Sequence, residues 1–360
     1  MADVAKLSRV SIKTVSRVVN DEIGVRPETA RRVRAVIEQL GFHRHEGASM
    51  LRKGRTTSIG LIVEDLANPF YSQLAAAIER EARQRQHLLI SASAEGSPER
   101  EAELVGALAA RRVEGLIVVP ASFEPSDAIR SAANDVPVVC VDSPLPGLPV
   151  DTVLSDNDGG TRSAVEHLAA HRHDRIGFLG DDAAIWTAQR RRAAFVSAYD
   201  SLGLPGRPPT ALGPYEPDQL AETLSEWGGG RNPVTALVTG NNRVTLAVLR
   251  AMRQSGADFA LVGYDDFELA DFLEPPVTVI HQDPSTLGQR AVQQIFARLD
   301  GDASPPRTLV VPTRLIVRGS SPAFARSRSP TTAEAPTAGV AGAGLMGAWD
   351  ARIEAPASRR

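Results

Sequence analysis

The spacing of apolar residues from Ser58 onward predicts an alternation of strands and helices. Short β-branched runs are followed by longer amphipathic segments, a pattern typical of parallel sheets whose strands are joined by crossover helices. The predicted strands are 59–63, 88–93, 115–119, 137–141, 176–180, 236–240 and 259–264. The predicted helices are 70–86, 98–111, 157–171, 187–202, 242–256 and 284–299. These elements exceed one standard sheet, so we expect two doubly wound α/β lobes with a crevice between them.

A helical period replaces this alternation before Ser58. Ser11 is a suitable N-cap for a second short helix, which we expect to run from Ile12 to about Asn20. A third helix is expected from Pro27 to Gly41. The apolar residues on the facing sides of the three helices are Val4, Ala5, Leu7, Val10, Val15, Val18, Val19, Ala30, Val33, Val36, Ile37 and Leu40.

The outer face of the second helix carries hydrogen-bonding groups and cations. If the valines at positions 15, 18 and 19 face inward, the outward residues are Ile12, Lys13, Thr14, Ser16 and Arg17. Such a face suits base edges and phosphates in the major groove of DNA. A purely structural three-helix bundle is the alternative that these residues alone leave open.

Charge is divided unevenly along the 360 residues. Residues 1–57 hold 12 Lys/Arg against 6 Asp/Glu, whereas the remainder holds 28 against 37. A basic head can displace counterions from a polyphosphate, which favours nucleic-acid binding, and a solvated surface is the alternative. An apolar content of 42% with 23% charged residues is typical of globular proteins, and the length predicts two or three domains.

Cysteine usage and hydropathy bear on the cellular compartment. The single cysteine, Cys140, lies in an apolar run and is expected to be a strand core residue. No apolar stretch approaches the roughly 18 residues of a membrane span, and the N-terminus carries no secretion signal. We therefore expect a cytoplasmic protein without membrane contact.

The string DVAKLSRVSIKTVSRVVN at residues 3–20 resembles the headpiece of the lactose/galactose repressor family of bacterial transcription regulators. The resemblance continues to about Gly319. It implies a small all-α helix-turn-helix headpiece joined to a two-lobed domain like that of periplasmic binding proteins. It also implies a repressor that binds a palindromic operator in double-stranded DNA as a homodimer and responds to a small-molecule effector, for which a sugar is our first expectation. The domains expected are a headpiece at 1–42, a hinge at 43–57, an effector-binding and dimerisation domain at 58–321, and a disordered tail at 322–360.

The resemblance also implies which residues contact DNA. In this family the second helix lies in the major groove, and a hinge leucine enters the minor groove as an apolar wedge. The DNA-contacting residues implied are Ser11, Ile12, Lys13, Thr14, Ser16, Arg17, Asn20, Ala48 and Leu51. The chain departs from the family at the first turn, where Arg9 replaces the usual Gly or Asn, and in the hinge, where Arg44, His45 and Ser49 are unusual.

Effector contacts are implied at positions just after strands or at the starts of helices. The residues that match the family's ligand contacts are Phe70, Asp142, Arg191, Asn241, Asp265 and Gln282. An aromatic ring, a cation, two carboxylates and amides together suit a polyol, a sugar or a base-like metabolite. Asn242 departs from the family, which commonly has Asp there.

Two other classes of protein share this α/β pattern. An enzyme is disfavoured because the sequence has no phosphate loop, dinucleotide fingerprint or nucleophile elbow. His171 and His173 are interpreted as a surface pair and Asp156 and Asp158 as helix caps, so we expect no metal site, cofactor or catalysis. An extracytoplasmic sugar-binding protein would carry a signal peptide in place of the DNA-reading motif. The lack of zipper heptads after Gly319 favours a dimer over a zipper-linked tetramer.

Overall fold

A computed structural model of the chain describes residues 1–19, 22, 24–41 and 57–322. Within this part, a headpiece consists of α1 (Ala2–Ser8), α2 (Ile12–Val19) and α3 (Pro27–Gln39). The core that the three helices share is formed by the buried residues Val4, Ala5, Val15, Val18 and Val33. Apart from Thr57 and Pro322, the expected hinge and tail lie outside the described residues, as do Asn20, Ala48 and Leu51.

Two residues expected on the packed side of the headpiece are exposed. Leu7 is 55% exposed and Leu40 is 42% exposed, so the prediction was wrong for both. The inward position in the last turn of α1 belongs to Ser8, whose buried hydroxyl donates to the Val4 carbonyl. Ser8 lies four residues after Val4 and therefore on the same helical face, which turns Leu7 outward.

The turn between α1 and α2 is the most specialised backbone of the headpiece. Arg9 adopts the left-handed conformation, with φ 52° and ψ 46°. That conformation costs a non-glycine residue about 1 kcal/mol. The Ser11 hydroxyl then accepts a hydrogen bond from the Thr14 amide at 3.1 Å, which confirms Ser11 as the cap of α2. Arg32 on α3 donates to the Ser8 carbonyl at 3.0 Å and so holds the end of α1.

The first lobe is built on a six-stranded parallel sheet. Its strands are β1 (Ser58–Val63), β2 (Leu88–Ser93), β3 (Gly115–Val118), β4 (Val138–Val141), β5 (Asp151–Ser155) and β11 (Thr308–Val311), in the order β11-β5-β4-β3-β1-β2. Its helices are α4 (Pro69–Gln84), α5 (Pro98–Ala110), α6 (Asp127–Asp135) and α11 (Pro284–Leu299). Helices cover both faces of the sheet, so β1, β3 and β4 are buried throughout.

The second lobe repeats this plan with one antiparallel edge. Its strands are β6 (Ile176–Gly180), β7 (Thr210–Leu212), β8 (Ala236–Thr239), β9 (Ala260–Tyr264), β10 (Thr278–His281) and β12 (Arg314–Ile316), in the order β12-β10-β9-β8-β6-β7. Its helices are α7 (Asn157–Ala170), α8 (Trp186–Ser201), α9 (Pro217–Gly228) and α10 (Asn242–Ser255). Only β12 runs antiparallel to its neighbour among the described strands. The expectation of two doubly wound lobes is confirmed.

The chain passes between the lobes after β5, after β10 and after β11. As a result, α11 and β11 complete the first lobe although they follow the second lobe in sequence. Leu287, Ala291 and Ile295 of α11 are buried in the core of the first lobe. The crossing segments bring the carboxyl ends of both sheets to one crevice.

Several elements were missed by the sequence prediction. They are β5, β7, β10, β11, β12, α6 and α9. β7 and β12 have three residues each, and such short edge strands depend on pairing with a neighbour more than on their own pattern. β11 is not followed by a helix, so the strand-helix alternation did not indicate it. Within the described residues, no helix has the length and apolar character needed to cross a membrane.

Candidate DNA-binding face and ligand cleft

The outer face of α2 has the composition that the sequence predicts. Ser11, Lys13 and Arg17 are exposed, and Thr14 and Ser16 are half-buried at the edge of the face. Ile12 is 54% exposed among these polar groups, where an apolar side chain can contact a thymine methyl group. The helix therefore presents cations, hydroxyls and one apolar side chain outward.

Arg17 is only weakly restrained in this face. Its Nε lies 3.9 Å from Glu22 Oε2, and both side chains are about half exposed. Exposed ion pairs of this kind contribute little free energy, because water and salt screen them. The guanidinium can therefore exchange this partner for a phosphate or a guanine edge.

The first lobe contributes an aromatic ring and a carboxylate to the crevice. Phe70 lies in the first turn of α4, where its amide donates to the Oδ1 atom of the cap residue Asn68 at 3.1 Å. The Phe70 ring packs edge-on against Tyr71, with centroids 5.1 Å apart. Asp142 directly follows β4 in a left-handed conformation and is only 7% exposed.

Arg191 is the central cation of the crevice. It lies on α8 and is 3% exposed. Its Nε donates to Asn157 Oδ1 at 2.7 Å and its Nη1 donates to the Gly240 carbonyl at 2.6 Å. The guanidinium also stacks over the Tyr264 ring at 3.8 Å. Because these contacts fix its orientation, Arg191 is preorganised before any ligand arrives.

The remaining three predicted contacts come from the carboxyl ends of second-lobe strands. Asn241 caps α10 by accepting from the Val244 amide at 2.8 Å, and its Nδ2 donates to Asp181 Oδ2 at 2.5 Å. Asp265 follows β9, again in a left-handed conformation. The buried Gln282 follows β10, and its Nε2 donates to Asp265 Oδ1.

All six predicted effector residues line one cavity. The other residues that line it were missed by the sequence analysis: Glu64, Asn68, Tyr71, Asp181, Ile185, Thr187 and Arg243. Glu64 and Asp181 each directly follow a strand, so the rule that ligands bind beyond the carboxyl ends of strands could have found them. Tyr71 and Thr187 lie in first turns of helices and carry no comparable signal.

This cavity, called the inner cavity below, is narrow, with a volume of about 30 Å³. An adjoining cavity of about 400 Å³ shares Phe70, Asp265 and Gln282 with it. Sites for small molecules generally occupy about 300 to 1,000 Å³. A ligand that reaches Arg191 and Asp142 therefore requires the inner cavity to widen.

Burial changes the acid-base properties of the cleft. It raises the pKa of Asp142 to about 6, and the Arg191 guanidinium offsets only part of this effect. Burial likewise raises the pKa of Glu64, against the opposing influence of Arg243. Asp142 Oδ1 and Gln282 Oε1 are buried acceptors without a hydrogen-bond partner in the described part of the chain. These two oxygens are available to a donor on a ligand.

Polar contacts join the lobes at the mouth of the cleft. Asn242 Nδ2 donates to Asn68 Oδ1 at 2.9 Å. Arg243 Nη1 lies 3.1 Å from Glu64 Oε1, and its Nη2 pairs with Asp65. The lobes are therefore held together by side chains from the starts of α4 and α10 and from the end of β1.

Histidines and aspartates that were weighed as possible metal ligands have structural roles. His173 is buried, with Nδ1 2.9 Å from Thr235 Oγ1 and Nε2 3.1 Å from the Ser321 carbonyl, so its expected position at the surface was wrong. Asp156 caps α7 by accepting from the Gly159 amide at 2.8 Å. Among the described residues, no group of three or more His, Cys, Asp or Glu side chains is placed to hold a metal ion.

A headpiece with an exposed polar second helix, followed by two lobes around a polar cleft, defines a class of ligand-responsive DNA-binding proteins. Comparison with known families agrees with this class. Residues 1–45 match the model of bacterial regulatory proteins of the lacI family. Residues 165–321 match the periplasmic binding protein-like domain.

Individual relatives align over most of the chain. The transcriptional regulator PtxS of Pseudomonas putida is 31% identical over 328 residues, which are 89% of this chain and 95% of that protein. The ribose operon repressor of Escherichia coli is 29% identical, over 89% of this chain and 99% of the relative. A crystal structure of the lac repressor dimer bound to operator and an anti-inducer superposes with a TM-score of 0.79 at 28% identity, over 89% and 98% of the two chains.

The chain belongs to the lacI family of bacterial regulatory proteins. It is a DNA-binding transcription regulator and not an enzyme. Both alternatives left open by the α/β pattern, an enzyme and an extracytoplasmic binding protein without a DNA-binding role, are thereby excluded.

Proposed function

We propose that this chain is a repressor that binds a palindromic operator as a homodimer in the cytoplasm and is switched by a small hydroxylated metabolite, a sugar, in the cleft. The observation that carries the proposal is the convergence of six polar and aromatic residues from both lobes on one cavity. A ligand that is held by both lobes favours one arrangement of the lobes over another. Such a difference in affinity between two arrangements shifts the conformational equilibrium of a regulator.

Operator reading is assigned to the outer face of α2. Ile12, Lys13 and Arg17 are the side chains proposed to contact bases, and Thr14 and Ser16 those proposed to contact phosphates. The exposure of Ile12, Lys13 and Arg17 supports this assignment, because these side chains lie outside the headpiece core and can reach a major groove without rearranging it. Ser11 supports it indirectly by capping the helix.

The choice of a sugar rests on the chemistry of the cleft and on relatives. Arg191, Asp142 and Asp265 offer charged hydrogen-bonding groups, and Phe70 offers a ring for the apolar face of a pyranose or furanose. One relative is a ribose operon repressor, and one similar structure is a complex of a transcriptional regulator with cellobiose.

The homodimer is supported by an apolar surface on the second lobe. Phe272 is 79% exposed and Leu269 is 61% exposed. The adjacent groove has a volume of about 500 Å³ and is lined by Leu246, Leu249 and Leu273 among others. Exposed apolar side chains beside an apolar groove favour a protein partner, and a twofold dimer would present two headpieces to a palindrome.

In vitro selection with random duplex DNA tests the first half of the proposal. The full-length protein should enrich a palindrome, bind it with strong salt dependence and sediment as a dimer. Enrichment of no sequence, or of one without twofold symmetry, would contradict the proposal. Sedimentation of the full-length protein as a tetramer that becomes a dimer when residues 322–360 are deleted would contradict the proposed oligomeric state.

Thermal-shift screening of sugars and nucleobases tests the second half. A ligand at 100 times its Kd stabilises the folded protein by about 2.7 kcal/mol, so true ligands are detectable. Each hit is then added to the complex of protein and selected operator. The proposal requires at least one stabilising compound to change operator affinity.

A further inference from the structure

The inner cavity contains more carboxylates than cations. Glu64, Asp142, Asp181 and Asp265 line it, together with Arg191 and Arg243. Arg243 is paired with Glu64 and Asp65 at the mouth. Arg191 is already bonded through Nε and Nη1 to the protein. Arg191 keeps its positive charge, because both of these partners are neutral, but four carboxylates against two guanidinium groups give the lining a net negative charge.

The adjoining cavity has the same sign. Asp266, Glu268 and Asp271 line it beside Asp265, and Arg318 is the one Lys or Arg side chain among its described lining residues. Both Nη atoms of Arg318 pair with the Asp266 carboxylate at 2.9 Å, which neutralises the cation locally. A ligand entering by this route passes acidic side chains before it reaches the inner cavity.

The hydrogen-bonding groups inside the cleft are biased toward acceptors. The side-chain amides of Asn241 and Gln282 each already donate one hydrogen bond, to Asp181 and Asp265 respectively. Asp142 Oδ1 and Gln282 Oε1 are left as buried acceptors without a partner in the described chain, and their residues are 7% and 3% exposed. Each oxygen can therefore accept a hydrogen bond from a donor on a ligand, because a carboxylate or amide oxygen has no proton to donate.

We propose that the cleft selects its effector by charge: it binds a hydroxyl-rich ligand that is neutral or carries a protonated amine, and it rejects the carboxylate and phosphate forms of the same ligand. The inference rests on the proposed function, since it takes the cleft as the effector site. Hydroxyl and ammonium groups supply the donors that Asp142 and Gln282 lack. A carboxylate or phosphate would place acceptors against acceptors and add negative charge to an acidic, partly buried wall.

The raised pKa of Asp142 agrees with this selection. Burial raises the pKa of Asp142, Arg191 offsets part of this effect, and the neighbouring Asp265 and Glu64 raise the pKa further, so the wall resists carrying a further negative charge. An ammonium group beside Asp142 would relieve that repulsion. We therefore expect amino sugars to bind at least as tightly as their neutral parents.

Matched sets of sugars test the proposal with the full-length protein. Neutral pentoses, hexoses and cellobiose are compared with their amino, aldonate and phosphate forms by thermal shift, and Kd values are then measured by calorimetry. We expect a neutral or amino form to bind and its acid and phosphate forms to bind at least tenfold more weakly. An acid or phosphate form that binds as tightly as its parent overturns the inference, and so does the failure of every neutral and amino form to bind.

Charge-removing variants identify the source of the selection. Asp142→Asn and Asp181→Asn should each reduce the discrimination against acid forms at least threefold. Asp300→Asn is the matched control, because that carboxylate pairs with Arg85 on the exposed surface of the first lobe, outside the cleft. Unchanged discrimination in both cleft variants, relative to the control, overturns the inference.

Operator binding in the same samples separates this inference from the proposed function. If a sugar acid binds tightest and changes operator affinity, the inference falls while the proposed function stands. If a neutral sugar binds with the expected discrimination but operator affinity does not change, the inference stands and the proposed switch falls.

Discussion

Asn242 at the start of α10 donates its side-chain amide to Asn68 Oδ1, 2.9 Å away in the other lobe. The same oxygen accepts the Phe70 amide and so caps α4. By resemblance, the lacI family commonly has Asp at position 242. An aspartate could accept from Asn68 but could not donate to its Oδ1, so the departure found in the sequence creates this interlobe hydrogen bond.

Removal of the neighbouring interlobe ion pairs should weaken ligand binding. Arg243→Ala eliminates the pairs with Glu64 and Asp65 and thereby favours separated lobes. We expect a three- to tenfold increase in the Kd of the effector, roughly 0.6 to 1.4 kcal/mol, and a larger radius of gyration in X-ray scattering. Arg190→Ala is the control, because its pair with Asp158 lies within one lobe. Equal effects of the two variants would contradict a role in closure.

Arg17 on α2 should control operator discrimination. Arg17→Ala should lower the preference for the selected operator by about 1 to 3 kcal/mol, because it removes a side chain proposed to read a base. Effector affinity should not change. Arg31→Ala removes an equal charge from the exposed side of α3 and should weaken binding to all sequences alike. Unchanged operator preference in Arg17→Ala, measured by competition with mutated duplexes, would refute this role.

Asp265 should couple the cleft to DNA. Asp265→Ala should leave operator affinity intact and remove its response to effector, because a proposed ligand contact and the partner of Gln282 are lost together. Asp200→Ala removes an exposed carboxylate from the same lobe and should keep the response. Titration of effector into the protein–operator complex measures both variants. A normal response in Asp265→Ala would move the effector contact elsewhere.

Stability should depend on pH through Asp142. The pKa of Asp142 is about 6 in the folded protein, above its usual value in the unfolded chain. At a pH between the two pKa values, folding is therefore accompanied by uptake of a proton, and the free energy of unfolding falls as the pH rises through the folded pKa. Asp142→Asn removes this linkage. Between pH 5 and pH 8 the parent should lose about 1 to 2 kcal/mol of unfolding free energy relative to the variant. Urea unfolding at both pH values checks this, and parallel stability profiles would rule it out.

The left-handed turn should limit the stability of the headpiece. Arg9→Gly removes the steric penalty at φ 52° and should stabilise the headpiece by up to about 1 kcal/mol. Ser11→Ala removes the cap of α2 and should destabilise it by about 1 kcal/mol. Hydrogen exchange of α1 and α2 amides in the full chain measures both changes. Slower opening in Ser11→Ala than in Arg9→Gly would contradict the assignment of the cap.

Local signals in the sequence were sufficient for part of the structure. Ser11 and Pro27 mark helix starts by their own chemistry, and the long apolar strands are visible without a partner. The six effector positions were found through a family resemblance and converge in the fold. The residues that were missed depend on tertiary context: β12 becomes a strand by pairing with β10, and Arg243 reaches Glu64 from 179 positions away. Leu7 was misplaced because Ser8, a polar residue, fills the inward position.

The return of α11 and β11 to the first lobe sets the order in which the domains of the nascent chain can be completed. The headpiece needs only residues up to Gly41, and its core can assemble while most of the protein is still untranslated. The first lobe lacks Leu287, Ala291 and Ile295 from its core until α11 leaves the ribosome, and its sheet lacks an edge until β11 follows. During synthesis, the part that reads DNA therefore precedes the part that responds to a metabolite.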